Sequence, residues 1–469
     1  MTDRSTRSPR ISLSRPNTAP HSGKVRHGGS HAASVERHLP PWPKADALAT
    51  AFLLAVPVVG GVLDGRSLAE LLGRGVPVPR GREATGTVRA QAQDMVYWTL
   101  RRYGLGDAIL SRLLERPLPS VEIRALLLLA LYRLDAEPDD SHTTVDQAVE
   151  AAGHLAGGRF KALVNAVLRN ALRRRDSLAQ ATADDADAQT WHPAWWRAKL
   201  QQAYPDRWVE LLAAANQAPP MALRVNRRRA SVVEMAQRLV EVDCPTEACG
   251  ADGLRLLRPR PVSDIPGFAE GLVSVQDPGA QRAAHLLAAA PGQRVLDACA
   301  APGGKAAHIL ELADARLLAL DVSPERCQRI EQNLERLGLA AAVKVADCRD
   351  VARWWDGKPF DRILADVPCS ASGVARRHPD SKWLRRPEDI ASFARTQGEI
   401  LRALWPTLAR GGKMLYATCS VFPEENTEQI AAFLADPAVH GQVELLGEET
   451  LLPCPDHDGF YYALLQKTL

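Results

Sequence analysis

Two cysteines stand 50 residues apart, each after what reads as a buried strand: Asp366-Val367-Pro368-Cys369-Ser370 and Ala417-Thr418-Cys419-Ser420. A thiolate can attack an electrophilic carbon, and a second thiol nearby would let attack and release be divided between two residues. That chemistry suits a substrate which is itself a poor nucleophile. Upstream, Cys299-Ala300-Ala301-Pro302-Gly303-Gly304-Lys305 carries paired glycines that allow backbone to approach a ligand closely. The run fits neither GxGxxG nor GxxxxGK[ST], which disfavours a dinucleotide or nucleoside triphosphate loop. Asp321 follows Gly303 by 18 residues, a distance suited to a carboxylate that accepts hydrogen bonds from both hydroxyls of a ribose. A nucleoside cofactor without phosphate, S-adenosylmethionine, meets both conditions.

The elements that must position these residues form an alternating pattern. From about residue 285 onward strands and helices alternate, which predicts an α/β domain with a parallel sheet wound on both faces. The strands read as Val295-Leu296, Leu317–Leu320, Val343–Val345, Ile363–Ala365 and Lys413–Ala417. They end at Asp297, Asp321, Asp347, Asp366 and Thr418-Cys419, and ligands of open α/β sheets bind along that carboxyl edge. One strand-end aspartate is ordinary, because it can cap the next helix. Four in order point to a site.

The glycine-containing run and the two cysteine runs resemble motifs I, IV and VI of RNA cytosine-C5 methyltransferases. Gln276-Asp277-Pro278 and Asp458-Gly459-Phe460-Tyr461-Tyr462 also fit. With its helical head, the chain is similar to the Sun/Fmu group of bacterial enzymes that modify 16S rRNA. The resemblance implies a Rossmann-like S-adenosylmethionine methyltransferase domain over residues 285–469. It assigns the nucleophile to Cys419 and the release step to Cys369. Spacing alone leaves that choice open, and the Pro-Cys-Ser run, shared with DNA cytosine methyltransferases, would favour Cys369. Asp366 would bind the N3/N4 edge of cytosine, with Lys305 near the base. The cofactor would be held by Cys299, Ala300, Ala301, Pro302, Gly303, Gly304, Lys305, Asp321, Asp347 and Asp366. Alternative readings are a tRNA methyltransferase of the same chemistry and a non-catalytic RNA-binding assembly factor. Departures from the motifs are small: Ala306-Ala307 follows the loop lysine, and Val367 precedes Pro368.

The remaining chain divides further. Residues 1–44 read as a basic disordered tail; residues 1–45 carry eight Lys/Arg and two Asp/Glu, leaving a net −3 for the other 424 residues. RNA attraction by the folded part must therefore come from local patches. Residues 45–178 show apolar spacing at i, i+3, i+4 and predict an all-α bundle. Thr144–Val149 and Val164–Asn170 resemble a NusB-like RNA-binding domain, with Pro57 a departure inside the first helix. Within Arg159–Arg175, six basic residues without an acid put Arg169 and Arg173 forward as phosphate contacts. Ala47–Leu63 reads as a buried helix with a break rather than a membrane span, and Asp176–Thr190 as a linker. Residues 191–284 predict a small α+β module with a basic edge, its tryptophans in the core. The loop after Cys369 offers Arg376, Arg377, Lys382, Arg385 and Arg386 as phosphate contacts beside a flipped base. The eight cysteines lack a CxxC pair, so reduced thiols, a cytoplasmic monomer and no metal are expected.

Overall fold

The computed structural model describes residues 40–73 and 75–468, so nearly all of the basic tail lies outside the described residues. The chain divides into two compact units, Met1–Trp191 and His192–Leu469.

Every helix and strand assigned to the first unit is helical. Its helix Val121–Ala136 runs through the interior, with Leu126, Leu127, Leu129 and Ala130 at 0% exposure. Helices Leu48–Leu63, Gly86–Arg101 and Ser141–Ala152 pack against it. The expected break in the first of these is absent: the helix runs unbroken through Pro57. That residue sits on the exposed side, and buried Phe52–Val56 and Val58–Gly60 hold the helix on both sides of it. The expected linker is also helical, as Arg175–Thr182 and Ala186–Thr190. Buried Leu178, Thr182 and Ala188 fix these turns, and Asp185 caps the second by accepting from the Asp187 and Ala188 amides. Among the described residues no helix is long and apolar enough to cross a membrane.

The second unit holds two sheets. Strands β1 (Ala222–Val225), β2 (Thr246–Cys249), β3 (Gly253–Leu256) and β4 (Val273–Val275) form an antiparallel sheet in the order β2-β3-β1-β4. Strands β5 (Arg294–Asp297), β6 (Arg316–Asp321), β7 (Ala342–Val345), β8 (Phe360–Asp366) and β9 (Leu408–Thr418) are the predicted parallel set. The sheet is not wholly parallel, however. Strands β10 (Val443–Leu451) and β11 (Phe460–Lys467) extend it antiparallel to β9, giving the order β10-β11-β9-β8-β5-β6-β7. Apolar clusters cover both faces, one around Ile363, Tyr416 and Leu401 and the other around Leu364, Leu415 and Ile309.

The antiparallel module joins the large sheet through buried charge. Arg224 on β1 is fully buried and makes a bidentate pair with Glu311, at 2.7 Å on each arm. It also donates to Gln276 Oε1 at 2.6 Å and to the Gly304 carbonyl at 2.7 Å. Of the tryptophans expected in the core, Trp196 is buried and Trp195 is partly buried against the same cluster, while Trp191 is half-exposed in the first unit. Trp196, on helix Ala194–Ala203, packs on Phe422 with ring centroids 5.3 Å apart, and the Tyr204 hydroxyl donates to the Val421 carbonyl at 2.8 Å. This helix therefore braces the loop that follows β9.

Candidate active site

A cavity of about 630 Å³ opens along the carboxyl ends of β5, β6, β8 and β9. That size suits a small-molecule ligand. Its lining includes Cys299, Lys305, Asp321, Asp347, Asp366, Cys369 and Cys419, so the structure gathers these candidates around one space.

The two thiols meet there, with Cys369 Sγ 3.3 Å from Cys419 Sγ. Neither loop has regular structure of its own at that point, and both are held from behind. The buried Glu425 carboxylate accepts from the Ser370 amide at 2.8 Å, the Ser370 hydroxyl at 2.5 Å, the Ser420 hydroxyl at 2.5 Å and Gln397 Nε2 at 3.2 Å. Ser372 and Ser420 hydroxyls share a further bond at 2.9 Å. The Gly373 amide donates to the Cys419 carbonyl at 2.9 Å, and a Cβ at Gly373 would lie 2.5 Å from the Gly459 carbonyl oxygen. Only glycine permits that approach. Glu425 belongs to none of the cysteine runs; the signal for it in the sequence is an acid six residues beyond the second cysteine.

Beside the thiols, Lys305 Nζ donates to Asp366 Oδ2 at 2.6 Å. Burial would lower the lysine pKa, but the Asp366 carboxylate outweighs it and holds the ammonium above its usual range. The hydrogen bond it shares with Cys419, together with burial, pushes the Cys369 thiol well up. Asp297, at the end of β5, is 1% exposed and neither of its carboxylate oxygens has a hydrogen-bond partner. Burial, with Asp366 nearby, pushes its pKa up to about 8.

The residues fit a nucleoside methyl donor. Gly303 adopts φ +96° and a Cβ there would meet the Ile330 backbone at 3.2 Å, so the turn needs glycine and leaves room above it. Asp321 is buried, and its Oδ1 accepts from the Ser323 amide at 3.1 Å. The orphaned Asp297 oxygens add buried acceptors at the same edge. Asp347 is more occupied, with Arg349 bound across both its oxygens at 3.0 and 2.7 Å. Cys299, placed in the loop lining, packs against the cluster that contains Cys348.

The basic loop after Cys369 differs from the expectation of phosphate contacts. Arg376 is 1% exposed and pairs with buried Asp458, while also donating to the Cys454 carbonyl at 2.9 Å. Arg377 is half-buried, pairs with Asp458 and reaches Asp277 at 2.9 Å. Lys382 is 0% exposed, its ammonium 2.9 Å from Asn216 Oδ1. These three cations hold the loop in place because their partners lie inside the fold. Arg385 stacks over Phe393 at 4.9 Å, and Arg386 is exposed. In the helical unit Arg169 and Arg173 are both exposed, as required for contact with a polyanion.

Asp252, His285 and His308 form the one compact group of metal-ligand type among the described residues. Asp252 Oδ2 lies 2.6 Å from His285 Nε2 and 3.0 Å from His308 Nε2, while Arg227 reaches Oδ1 at 2.8 Å. Burial lowers the His308 pKa to about 4. With a guanidinium and two imidazoles already around the carboxylate, the group is a hydrogen-bonded triad.

Comparison with known proteins follows the same division. Residues 284–466 match the family described as 16S rRNA methyltransferase RsmB/F, residues 192–263 the RsmF/B-like ferredoxin-like domain, and residues 48–173 the NusB family. Ribosomal RNA small subunit methyltransferase B of Pseudomonas syringae pv. tomato is 44% identical over 399 residues, spanning 81% of this chain and 89% of that protein. Its counterpart in Yersinia enterocolitica is 42% identical over 425 residues, covering 88% and 98%. Among solved structures, PH0851 superposes with a TM-score of 0.76 at 22% identity, over 90% of this chain and 98% of that one. NSun6 from Pyrococcus horikoshii, solved with SFG, gives a TM-score of 0.53 at 18% identity, over 59% and 98%. These two likenesses speak for the fold.

Proposed function

The chain belongs to the ribosomal RNA small subunit methyltransferase B family and uses S-adenosylmethionine, and from that premise we propose that it methylates C5 of a cytosine in 16S rRNA through a covalent adduct to Cys419. The observation that carries this reading is the 3.3 Å approach of two thiols on the wall of the cavity that holds the glycine turn.

C5 of cytosine is too weak a nucleophile to take a methyl group directly. Addition of the Cys419 thiolate at C6 makes C5 enamine-like. When bound, the cofactor supplies an electrophilic methyl group to that carbon. Loss of the C5 proton and β-elimination then restore the ring and release the Cys419 thiolate. The Lys305–Asp366 pair, at 2.6 Å, offers a donor and an acceptor to the polar edge of the base. Cys369, with its proton held tightly, sits where it can exchange a proton with the leaving sulfur. Asp321, Asp297 and the turn at Gly303 would hold the donor, with Asp347 at the rim. Exposed Arg169, Arg173 and Arg386 would meet phosphates.

The test compares Cys369→Ala with Cys419→Ala on 16S transcript. Cys369→Ala should accumulate a denaturant-resistant protein–RNA adduct, and Cys419→Ala should form none. The reverse pattern overturns the role assignment, and absence of methyl transfer by the unaltered chain overturns the function.

A further inference from the structure

We infer that Glu425 is the positioning residue of the thiol pair: its buried carboxylate ties the two cysteine loops together through Ser370 and Ser420 and places an acidic group behind Cys369. This rests on the covalent reading above and adds a physical reason for the order in which the thiols act.

Glu425 is 0% exposed, at the end of the short turn Pro423–Glu425. Its backbone is fixed by the Tyr416 hydroxyl, which donates to the Glu425 carbonyl at 2.6 Å. The following residue continues the bracing, with Asn426 Nδ2 donating to the Ser420 carbonyl at 2.9 Å and Thr418 Oγ1 donating to Asn426 Oδ1 at 2.6 Å. The four hydrogen bonds to the carboxylate are all donated by its neighbours. Burial raises the Glu425 pKa, and the hydrogen bonds from Ser370, Ser420 and Gln397 oppose it; an ionised carboxylate is an acceptor only, so this donor set favours the charged form. Two of the donors belong to Ser370 and one to Ser420, the residues that directly follow the two cysteines. The same group thus sets the separation of the sulfurs and places a negative charge behind them.

The charge is asymmetric toward the two thiols. Ser370 gives Glu425 both its amide and its hydroxyl, and the hydrogen bond shared with Cys419, burial and the Glu425 charge all raise the Cys369 pKa. On the cavity side stands the Lys305 ammonium, which the Cys419 and Asp366 charges raise further. Asp297 faces this pair from β5; Tyr416 and Tyr462 face it from β9 and β11, their phenols pushed well up by burial. His378 is held below its usual range by burial, while Arg376 and Arg377 together offset Asp277 and Asp458 at the rim. The acid behind Cys369 therefore favours retention of the proton on that thiol.

The experiment follows iodoacetamide alkylation of each cysteine against pH by peptide mass spectrometry, alongside steady-state methyl transfer to 16S transcript. Glu425→Gln should move the Cys369 profile down by about one pH unit or more, the shift typical of one nearby charge, and lower kcat by about tenfold with KM for RNA and cofactor unchanged. Ser370→Ala keeps the charge and removes one tether; it should lower kcat with the Cys369 profile in place. An unshifted Cys369 profile in Glu425→Gln overturns the charge argument, and unchanged kcat in Ser370→Ala overturns the tether. If Glu425→Gln does not fold, the Ser370→Ala result decides. Alkylation needs neither RNA nor methyl donor, so a chain that alkylates as described but transfers no methyl group would sink the proposed function and leave this inference standing.

Discussion

Replacing Arg224 by Met should destabilise the second unit by about 3–5 kcal/mol, the usual consequence of leaving one member of a buried ion pair alone. The side chains of Arg224 and Glu311 are 0% and 1% exposed, so solvent cannot take over the lost interactions. Methionine fills much of the volume, which confines the effect to charge and hydrogen bonding. Glu311 loses both arms of its partner, and the Gly304 carbonyl loses a donor at 2.7 Å. Gly304 opens the helix after the glycine turn, so cofactor affinity should fall as well. Urea unfolding measures the first effect and calorimetric titration with S-adenosylmethionine the second. The pH dependence has a definite sign. Burial already raises the Glu311 pKa against the opposing Arg224 charge, and without Arg224 it rises further. A carboxylate whose folded pKa exceeds its unfolded value costs stability as pH rises and recovers it on acidification. The deficit of Arg224→Met should therefore be largest at neutral pH and shrink as pH falls toward the unfolded value of 4.5. Adding Glu311→Leu should recover most of the loss, because no buried charge then lacks a partner. A deficit below about 1 kcal/mol, or one that grows on acidification, would refute the reasoning, since breaking a buried pair ordinarily costs several times that.

Gly303→Ala should weaken cofactor binding by about tenfold or more and lower stability by about 1–3 kcal/mol, because the residue needs φ +96° with Ile330 backbone 3.2 Å from the new Cβ; binding unchanged by titration would count against the turn. Asp297, held at about 8 against an ordinary 3.8, makes the chain lose stability as pH rises between those values. Asp297→Asn should flatten that slope in thermal melts across the same range. Asp458→Asn should cost about 3 kcal/mol in urea, since buried Arg376 and half-buried Arg377 share that carboxylate. Arg169→Ala with Arg173→Ala should weaken RNA binding for all sequences alike and reduce the salt dependence by about one phosphate contact per residue; filter binding at several salt concentrations decides.

Strands β5, β6, β8 and β9 were legible because each is an apolar run closed by a polar residue, and parallel strands buried on both faces show that pattern without alternation. Edge strand β7 was read from Val343 and Val345 although it is largely exposed. Strand β10 was not, since Glu444, Glu448 and Glu449 interrupt a half-exposed edge with little apolar signal. Edge strand β2 failed for the same reason. The Asp176–Thr190 stretch lacks a strong apolar stripe, and its helices depend on three small or apolar positions that find a neighbour in the folded unit. The basic run after Cys369 was misread because its main acid partner, Asp458, lies 81 and 82 residues downstream of Arg377 and Arg376. No local window reveals such a pairing. Cys369, Cys419, Lys305 and Asp366 could be named from their runs, whereas the acid that holds the two thiols required the folded backbone.

One arrangement recurs at the positions least legible in the sequence. Glu425 gathers the two cysteine loops, Asp458 gathers Arg376 and Arg377, and Glu311 anchors β1 near the glycine turn. Each is a buried carboxylate that accepts several hydrogen bonds, Glu425 and Asp458 from loop segments and Glu311 from Arg224 on β1. Such a group is costly to leave unpaired, so each loop has one low-energy position. The same economy of charge constrains the RNA surface. Arg376, Arg377 and Lys382 are engaged inside the fold, leaving Arg386 as the fully exposed cation of the five at the site. Because the chain beyond residue 45 carries a net −3, long-range attraction to a polyanion must come from a concentrated patch. The acid-free basic run Arg159–Arg175, with Arg169 and Arg173 exposed, is such a patch. Loss of that run should therefore slow RNA capture while leaving the thiol geometry and the alkylation profile of Cys369 unchanged.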